Sequence, residues 1–302
     1  MSNCFIFSGQ GSHRPGMGLK LYQHSTLATD KIDLSNEVLG YNISDIMFDD
    51  NEAVLRQTNH AQVAIYIYSC IIFDIIKDNN HIPAGVAGHS LGEFSALYAN
   101  NTYTFETGLQ IVNVRAKAMH KCEKNTEGKM SAVIGMNKEK ISDICKGTDT
   151  QVANINSDQQ IVISGSADSM QSVSEELKTN GAKRIISLPV SGAFHSKLMS
   201  NAKPALKEII SNATFNEPHV PIVSNYDATL RSNPDEIKKA LIEQIDNPVL
   251  WFDSVQRLGE INNNFIEIGP KKVLSGIIKK IDELFHISNF NNYNDVEEYL
   301  HV

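Results

Sequence analysis

Basic residues are in the minority: 27 Lys and Arg stand against 35 Asp and Glu in 302 residues, a net charge of -8. A nucleic-acid binder normally carries a basic excess, so no nucleic-acid partner is expected. An anionic ligand must then be met by a few placed cations, because the overall field repels it. Long hydrophobic runs are also missing. The longest nearly unbroken one, Val63 to Phe73, falls well short of the ~20 residues of a spanning helix, so no membrane association is expected. The first Lys or Arg is Arg14, which leaves no basic segment ahead of the first apolar stretch and no secretory signal pattern. Cysteine is scarce. Cys4, Cys70, Cys122 and Cys145 show neither metal-ligand nor redox spacing, so four free thiols in a reducing cytoplasm are expected, and no metal.

What is present suffices for a sizeable core: 41% of residues are apolar and 21% charged, which rules out wholesale disorder. Cys4 to Phe7 reads as a strand, Val63 to Ile76 as a helix and Pro83 to Ala87 as a buried strand. Helices are expected from Leu91, where Leu91, Phe94, Leu97 and Tyr98 share a face, and from Phe105 to Lys121. Between Met130 and Pro189 the order strand, helix, strand, strand, helix, strand reads as a ferredoxin-like unit, with Gly181 ending its second helix. The α/β pattern then resumes to the C-terminus. The expected fold is α/β: a hydrolase-like core with a parallel sheet, residues 1–128 and 191–302, and an inserted ferredoxin-like subdomain, residues 129–190.

The strongest motif is Gly88-His89-Ser90-Leu91-Gly92, a G-x-S-x-G nucleophile elbow between an expected strand and an expected helix. Glycines suit the sharp turn because side chains there would clash. The turn leaves the Ser90 hydroxyl at a helix N-terminus, with the Leu91 N–H able to face an oxyanion. The plainer alternative is a Gly-rich turn with an incidental serine.

Ten histidines compete to be the base. His89 adjoins Ser90 but should diverge from it at a sharp turn, and His13 lies in a Gly-rich loop. His195 follows a strand and the small-residue loop Ser191-Gly192-Ala193-Phe194, where an α/β fold presents functional groups. Arg115 has Ile111, Val112, Ala118 and Met119 as helical neighbours, so it points from a buried face and needs an anionic partner. Two readings stand: a structural ion pair, for example with Glu93, or a fork for a substrate carboxylate. The loop Gly9-Gln10-Gly11-Ser12 is no dinucleotide fingerprint. It is either an ordinary turn or the source of a second oxyanion donor.

Taken in order, these pieces resemble the malonyl-CoA:acyl carrier protein transacylase family over nearly the whole chain. The carrying motifs are Phe7-Ser8-Gly9-Gln10-Gly11-Ser12, Gly88 to Gly92, Arg115, Asn154-Ile155-Asn156-Ser157, Val190 to Ser196, Gln244 before Asn247-Pro248-Val249, and Glu267-Ile268-Gly269-Pro270. The resemblance implies Ser90 as acyl-carrying nucleophile, His195 as base, and the N–H groups of Gln10 and Leu91 as oxyanion hole. It also implies the Gln244 main-chain carbonyl in place of a triad acid, and a substrate-binding set of Arg115, Phe194, Gln62 and His89. Malonyl-CoA would be the donor and a carrier protein's phosphopantetheine the acceptor, with no permanently bound cofactor, in a monomer. Ser8, Val63 and Lys271 depart from common family residues, and with the Ser191–Ser196 run they lean toward the polyketide-serving branch.

The competing functions are an ordinary esterase, a hydrolase of the same fold that clears acyl groups from carrier proteins, and a docking module without catalysis. A carrier protein is typically acidic, so Lys271, Lys272, Lys279 and Lys280, or Lys197 and Lys203 beside His195, are its candidate receivers.

Overall fold

The computed structural model describes residues 3–77, 82–190 and 192–300; Ser191 of the small-residue loop lies outside them. Among the described residues, ten strands form two sheets. They are β1 (Cys4–Phe7), β2 (Val86–Gly88), β3 (Gly128–Ile134), β4 (Gln151–Ser157), β5 (Gln160–Ser166), β6 (Arg184–Ser187), β7 (Ile222–Val223), β8 (Leu230–Arg231), β9 (Asn264–Ile268) and β10 (His286–Phe290). The larger sheet has the order β10-β9-β1-β2-β7-β8. All its pairs are parallel except β7 with β8. The sequence shows why: β1 reads Cys-Phe-Ile-Phe and is buried on both faces, as a parallel strand covered by helices must be.

The smaller sheet, β4-β5-β3-β6, is antiparallel throughout. With helices Lys138–Cys145 and Ala167–Thr179 on it, it is the ferredoxin-like unit expected from the sequence. It has its own core around Ile141, Ile163, Val173 and Leu177. Two backbone bonds, from the Ile155 N–H to the Val249 oxygen and from the Val249 N–H to the Ala153 oxygen, tie it to the larger body.

Two regions differ from the sequence reading. The sequence reading assigns no element between Leu19 and Leu55, yet this segment forms helices Leu19–His24, Thr26–Leu39, Ile43–Phe48 and Glu52–Leu55. Three of them bury at most two residues each, while Thr26–Leu39 lays Leu27, Ala28, Ile32, Leu34 and Val38 on the core. Conversely, helix Thr58–Lys77 is longer than the apolar run within it. It is long and apolar enough to cross a membrane, but 78% of its apolar window is buried inside the fold. It is the central core helix, packed beside helix Phe105–Asn125. All four cysteines are free and buried.

The parallel strands end on one edge. The loops after β1, β2, β7 and β9 emerge there side by side, where an open α/β sheet binds its ligands. Gly88 and Gly92 make this crowding possible. A Cβ on Gly88 would lie 1.9 Å from the Gly92 carbonyl carbon, and one on Gly92 would lie 2.0 Å from the Phe7 oxygen.

Candidate active site

Ser90 sits in the turn between β2 and helix Gly92–Ala99 with a φ of 52°. This left-handed conformation is uncommon outside glycine and persists only where the surroundings hold it. Asn225, just after β7, supplies the hold. Its Oδ1 accepts from the Ser90 N–H at 2.7 Å and its Nδ2 donates to the Gly88 oxygen at 2.7 Å. Strand pairing explains the meeting, because Val86 faces Ile222 across the β2–β7 ladder.

The Ser90 Oγ lies 2.7 Å from His195 Nε2, and His195 Nδ1 lies 3.0 Å from the Gln244 main-chain oxygen. That carbonyl requires the proton on Nδ1, which leaves Nε2 free to accept from the hydroxyl. His195 also has a positive φ, 56°. Burial, and then the charge of Arg115, push its pKa from 6.5 down to about 3. The imidazole is therefore neutral across the physiological range.

Arg115 is 1% exposed and is held from three sides. Nη1 donates to Gln62 Oε1 at 2.6 Å, and Nη2 donates to Gln244 Oε1 at 2.9 Å and to Ser90 Oγ at 3.1 Å. The guanidinium also lies 5.2 Å from the Phe94 ring centroid. Among the described residues it has no ion pair: the direct contact with Glu93 that periodicity left open is absent, and the Gln244 amide stands between them. Burial lowers the Arg115 pKa to about 10, so it stays cationic at neutral pH. Glu93 is 1% exposed, and burial raises its pKa to about 7 against hydrogen bonds from Gln244 and Asn225.

The remaining expected residues fall into two groups. Gln10 and Gln62 join the site: Gln62 Nε2 donates to Gln10 Oε1 at 3.3 Å, and Gln10 Nε2 donates to Thr58 Oγ1 at 3.2 Å. Among the described residues, the backbone N–H groups of Gln10 and Leu91 have no acceptor. Phe194 is buried immediately before His195. His89 turns away, as the sharp elbow requires. Its Nε2 lies 3.0 Å from Asn156 Oδ1 on β4, and its ring meets Trp251 edge-on at 5.3 Å, so it fastens the elbow to the smaller sheet. His13 pairs with Glu52 at 3.5 Å and is no rival base.

Sequence reasoning missed Asn225, the Glu93 contacts and the side-chain role of Gln244. Only the pairing of distant loops identifies them, although an Asn just past a strand end was a visible hint. Lys203, a candidate receiver of an acidic partner, is already bound to Glu243 and Asp246 at 2.7 and 3.2 Å. Lys271, Lys272, Lys279 and Lys280 are exposed.

The arrangement is a serine hydroxyl shared by its base and a buried cation, with unpaired N–H groups on the adjacent Leu91 and on Gln10 in the loop after β1. It can attack a carbonyl, hold the resulting oxyanion and grip a nearby carboxylate. Comparison with known proteins agrees. Residues 4–290 match the acyl transferase domain family. The malonyl CoA-acyl carrier protein transacylase of Bacillus subtilis is 39% identical over 284 residues, covering 92% of this chain and 90% of its own length. Among solved structures, the malonyl-CoA:ACP transacylase of Synechocystis superposes with a TM-score of 0.91 at 34% identity, covering 99% of this chain and 100% of the other. A malonyl-transacylase solved in complex with its type II PKS acyl-carrier protein superposes at 0.94 with 29% identity, covering 100% and 99%.

Proposed function

The chain belongs to the acyl transferase domain family, and from that premise we propose that it moves malonyl from malonyl-CoA to the phosphopantetheine thiol of an acyl carrier protein. The setting is fatty acid or polyketide biosynthesis, as in the relatives. The observation that carries the proposal is the Ser90–His195–Gln244 line with the Arg115 fork on the same hydroxyl.

In the first half-reaction, neutral His195 takes the Ser90 proton at Nε2 as Oγ attacks the thioester carbon. General-base help of this kind contributes typically ~10²–10⁴-fold. The Gln10 and Leu91 N–H groups receive the oxyanion, and losing one such donor typically costs ~10²–10³ in rate. Collapse breaks the C–S bond, and imidazolium returns the proton to the departing CoA sulfur. In the second half-reaction the carrier thiol gives its proton to His195 and attacks the ester carbon. Ser90 leaves and recovers that proton.

Arg115 selects the acyl group. Its fork accepts a carboxylate bidentately once the Ser90 contact yields, with Gln62 holding Nη1. Phe194, buried beside the base, disfavours an α-methyl. Ser90, His195, Gln244 and Arg115 of one chain supply the whole scheme, so a working monomer is part of this reading. Four buried free thiols support a cytoplasmic setting.

Intact-mass measurement after mixing with malonyl-CoA tests the scheme. A stable adduct of malonyl mass that moves to an added carrier protein is expected. No adduct would overturn it. Rapid release of free malonate without transfer would favour the hydrolase alternative, which the transacylase names of the Bacillus subtilis and Synechocystis relatives do not support.

A further inference from the structure

Gln244 does two separate things. Its main-chain oxygen holds His195 Nδ1, while its fully buried side chain faces the other way. There Oε1 accepts from Arg115 Nη2 at 2.9 Å. Nε2 donates to Glu93 Oε2 at 2.7 Å and to the Ser90 oxygen at 2.9 Å. We infer that Glu93, acting through the side-chain amide of Gln244, is a positioning residue that aims the Arg115 fork at the acyl group on Ser90.

The amide orientation follows from donor and acceptor chemistry. The guanidinium can only donate and the Ser90 carbonyl can only accept, while Glu93 Oε2 already accepts from the Asn225 N–H and so meets the amide as an acceptor. A flipped Gln244 would set NH₂ against the guanidinium and oxygen against two other oxygens. All three contacts would then oppose it. Glu93 supplies the shortest of these bonds and is itself held by the Asn225 N–H at 3.2 Å. It is anchored to the same loops that shape the elbow.

The spacer also explains why Arg115 stays available. A carboxylate placed directly on the guanidinium would form a two-pronged pair and fill the fork. A single amide oxygen takes one N–H and leaves the edge toward Ser90 open. Arg115 has many rotamers and an unpartnered buried Nε, so its aim depends on the partners at its tips. Those partners are Gln62 on one side and Gln244 on the other.

This inference rests on the reading that Arg115 receives the malonyl carboxylate, and the test separates the two. Acylation kinetics are compared for malonyl-CoA and for acetyl-CoA, an uncharged probe, in the wild type and in Gln244→Met, Glu93→Met and Glu93→Gln. Gln244→Met keeps the main-chain carbonyl and removes the amide. The malonyl-to-acetyl ratio of kcat/KM should fall on the order of tenfold, mostly through a raised KM for malonyl-CoA. Glu93→Met should shift the ratio in the same direction. Glu93→Gln keeps an acceptor oxygen toward Gln244 and should hold the ratio near that of the wild type.

A folded Gln244→Met protein with an unchanged ratio overturns the inference. So does a Glu93→Gln ratio that falls as far as that of Gln244→Met. Should Glu93→Met fail to fold, the other two variants decide alone. A wild type that takes no malonyl from malonyl-CoA overturns the functional reading instead.

Discussion

Arg115 Nη2 lies 3.1 Å from Ser90 Oγ, so the buried cation and the serine hydroxyl share a hydrogen bond. The same hydroxyl lies 2.7 Å from His195 Nε2. A carboxylate that displaces the Arg115 contact leaves Oγ bonded to its base alone. Under the proposed function, binding the right acyl group and freeing the hydroxyl become one event, and the negative charge it brings offsets the cation that, after burial, depresses His195.

Replacing Ser90 by Ala should abolish the malonyl adduct in intact-mass spectra. His195→Ala should leave a protein that acylates ~10²–10⁴-fold more slowly. A persistent adduct of malonyl mass on the Ser90→Ala protein would place the nucleophile elsewhere.

Arg115→Ala should lower kcat/KM for malonyl-CoA on the order of a hundredfold, with a smaller loss for acetyl-CoA. Arg115→Lys should recover little of it, because an ammonium offers no planar fork. Competition between the two CoA esters measures the preference directly, and unchanged selectivity in Arg115→Ala would refute the clamp.

His195 and Glu93 load the pH dependence of stability in opposite directions. The folded His195 titrates near 3 and an unperturbed histidine near 6.5. From 6.5 down to 3 the unfolded chain binds the extra proton, and stability falls as pH falls. The folded Glu93 titrates near 7 against 4.5 unperturbed. From 4.5 to 7 the folded chain binds the extra proton, and stability falls as pH rises. Glu93→Gln removes only the second slope, so its Tm relative to the wild type should rise between pH 5 and pH 8. For catalysis, the acid limb of kcat/KM set by His195 should lie well below 6.5. Thermal melts and rate profiles across pH check both.

Gly92→Ala should destabilise the fold by about 4 kcal/mol or more, in the range of the severest point substitutions. Its Cβ would fall 2.0 Å from the Phe7 backbone oxygen, and a core strand cannot move aside. Gly11→Ala provides the contrast in space if not in backbone angle: nothing lies within 4 Å of its Cβ, although its φ is +97°. Its Tm loss should be clearly smaller.

Much of the site was legible because its chemistry sits in short local patterns. The elbow announces itself by two glycines around a serine, between a strand and a helix. Arg115 announces itself as a charge among apolar helical neighbours. His195 was readable only by its place after a strand, and the family resemblance made it specific. The helices Leu19–His24, Ile43–Phe48 and Glu52–Leu55 were not legible, since each is too short to mark a period.

By itself the sequence determined the α/β class, the inserted ferredoxin-like unit, the candidate nucleophile and the buried cation. Each of these depends on residues a few positions apart, where periodicity and turn chemistry act. Only the tertiary structure decided what Arg115 is paired with. It put an amide where a carboxylate was a live alternative, and it brought Glu93, Asn225 and Gln244 to one point from separate elements of the chain. Hydrogen-bond partners more than a hundred residues apart are chosen by strand order and loop packing, and no local pattern carries that information.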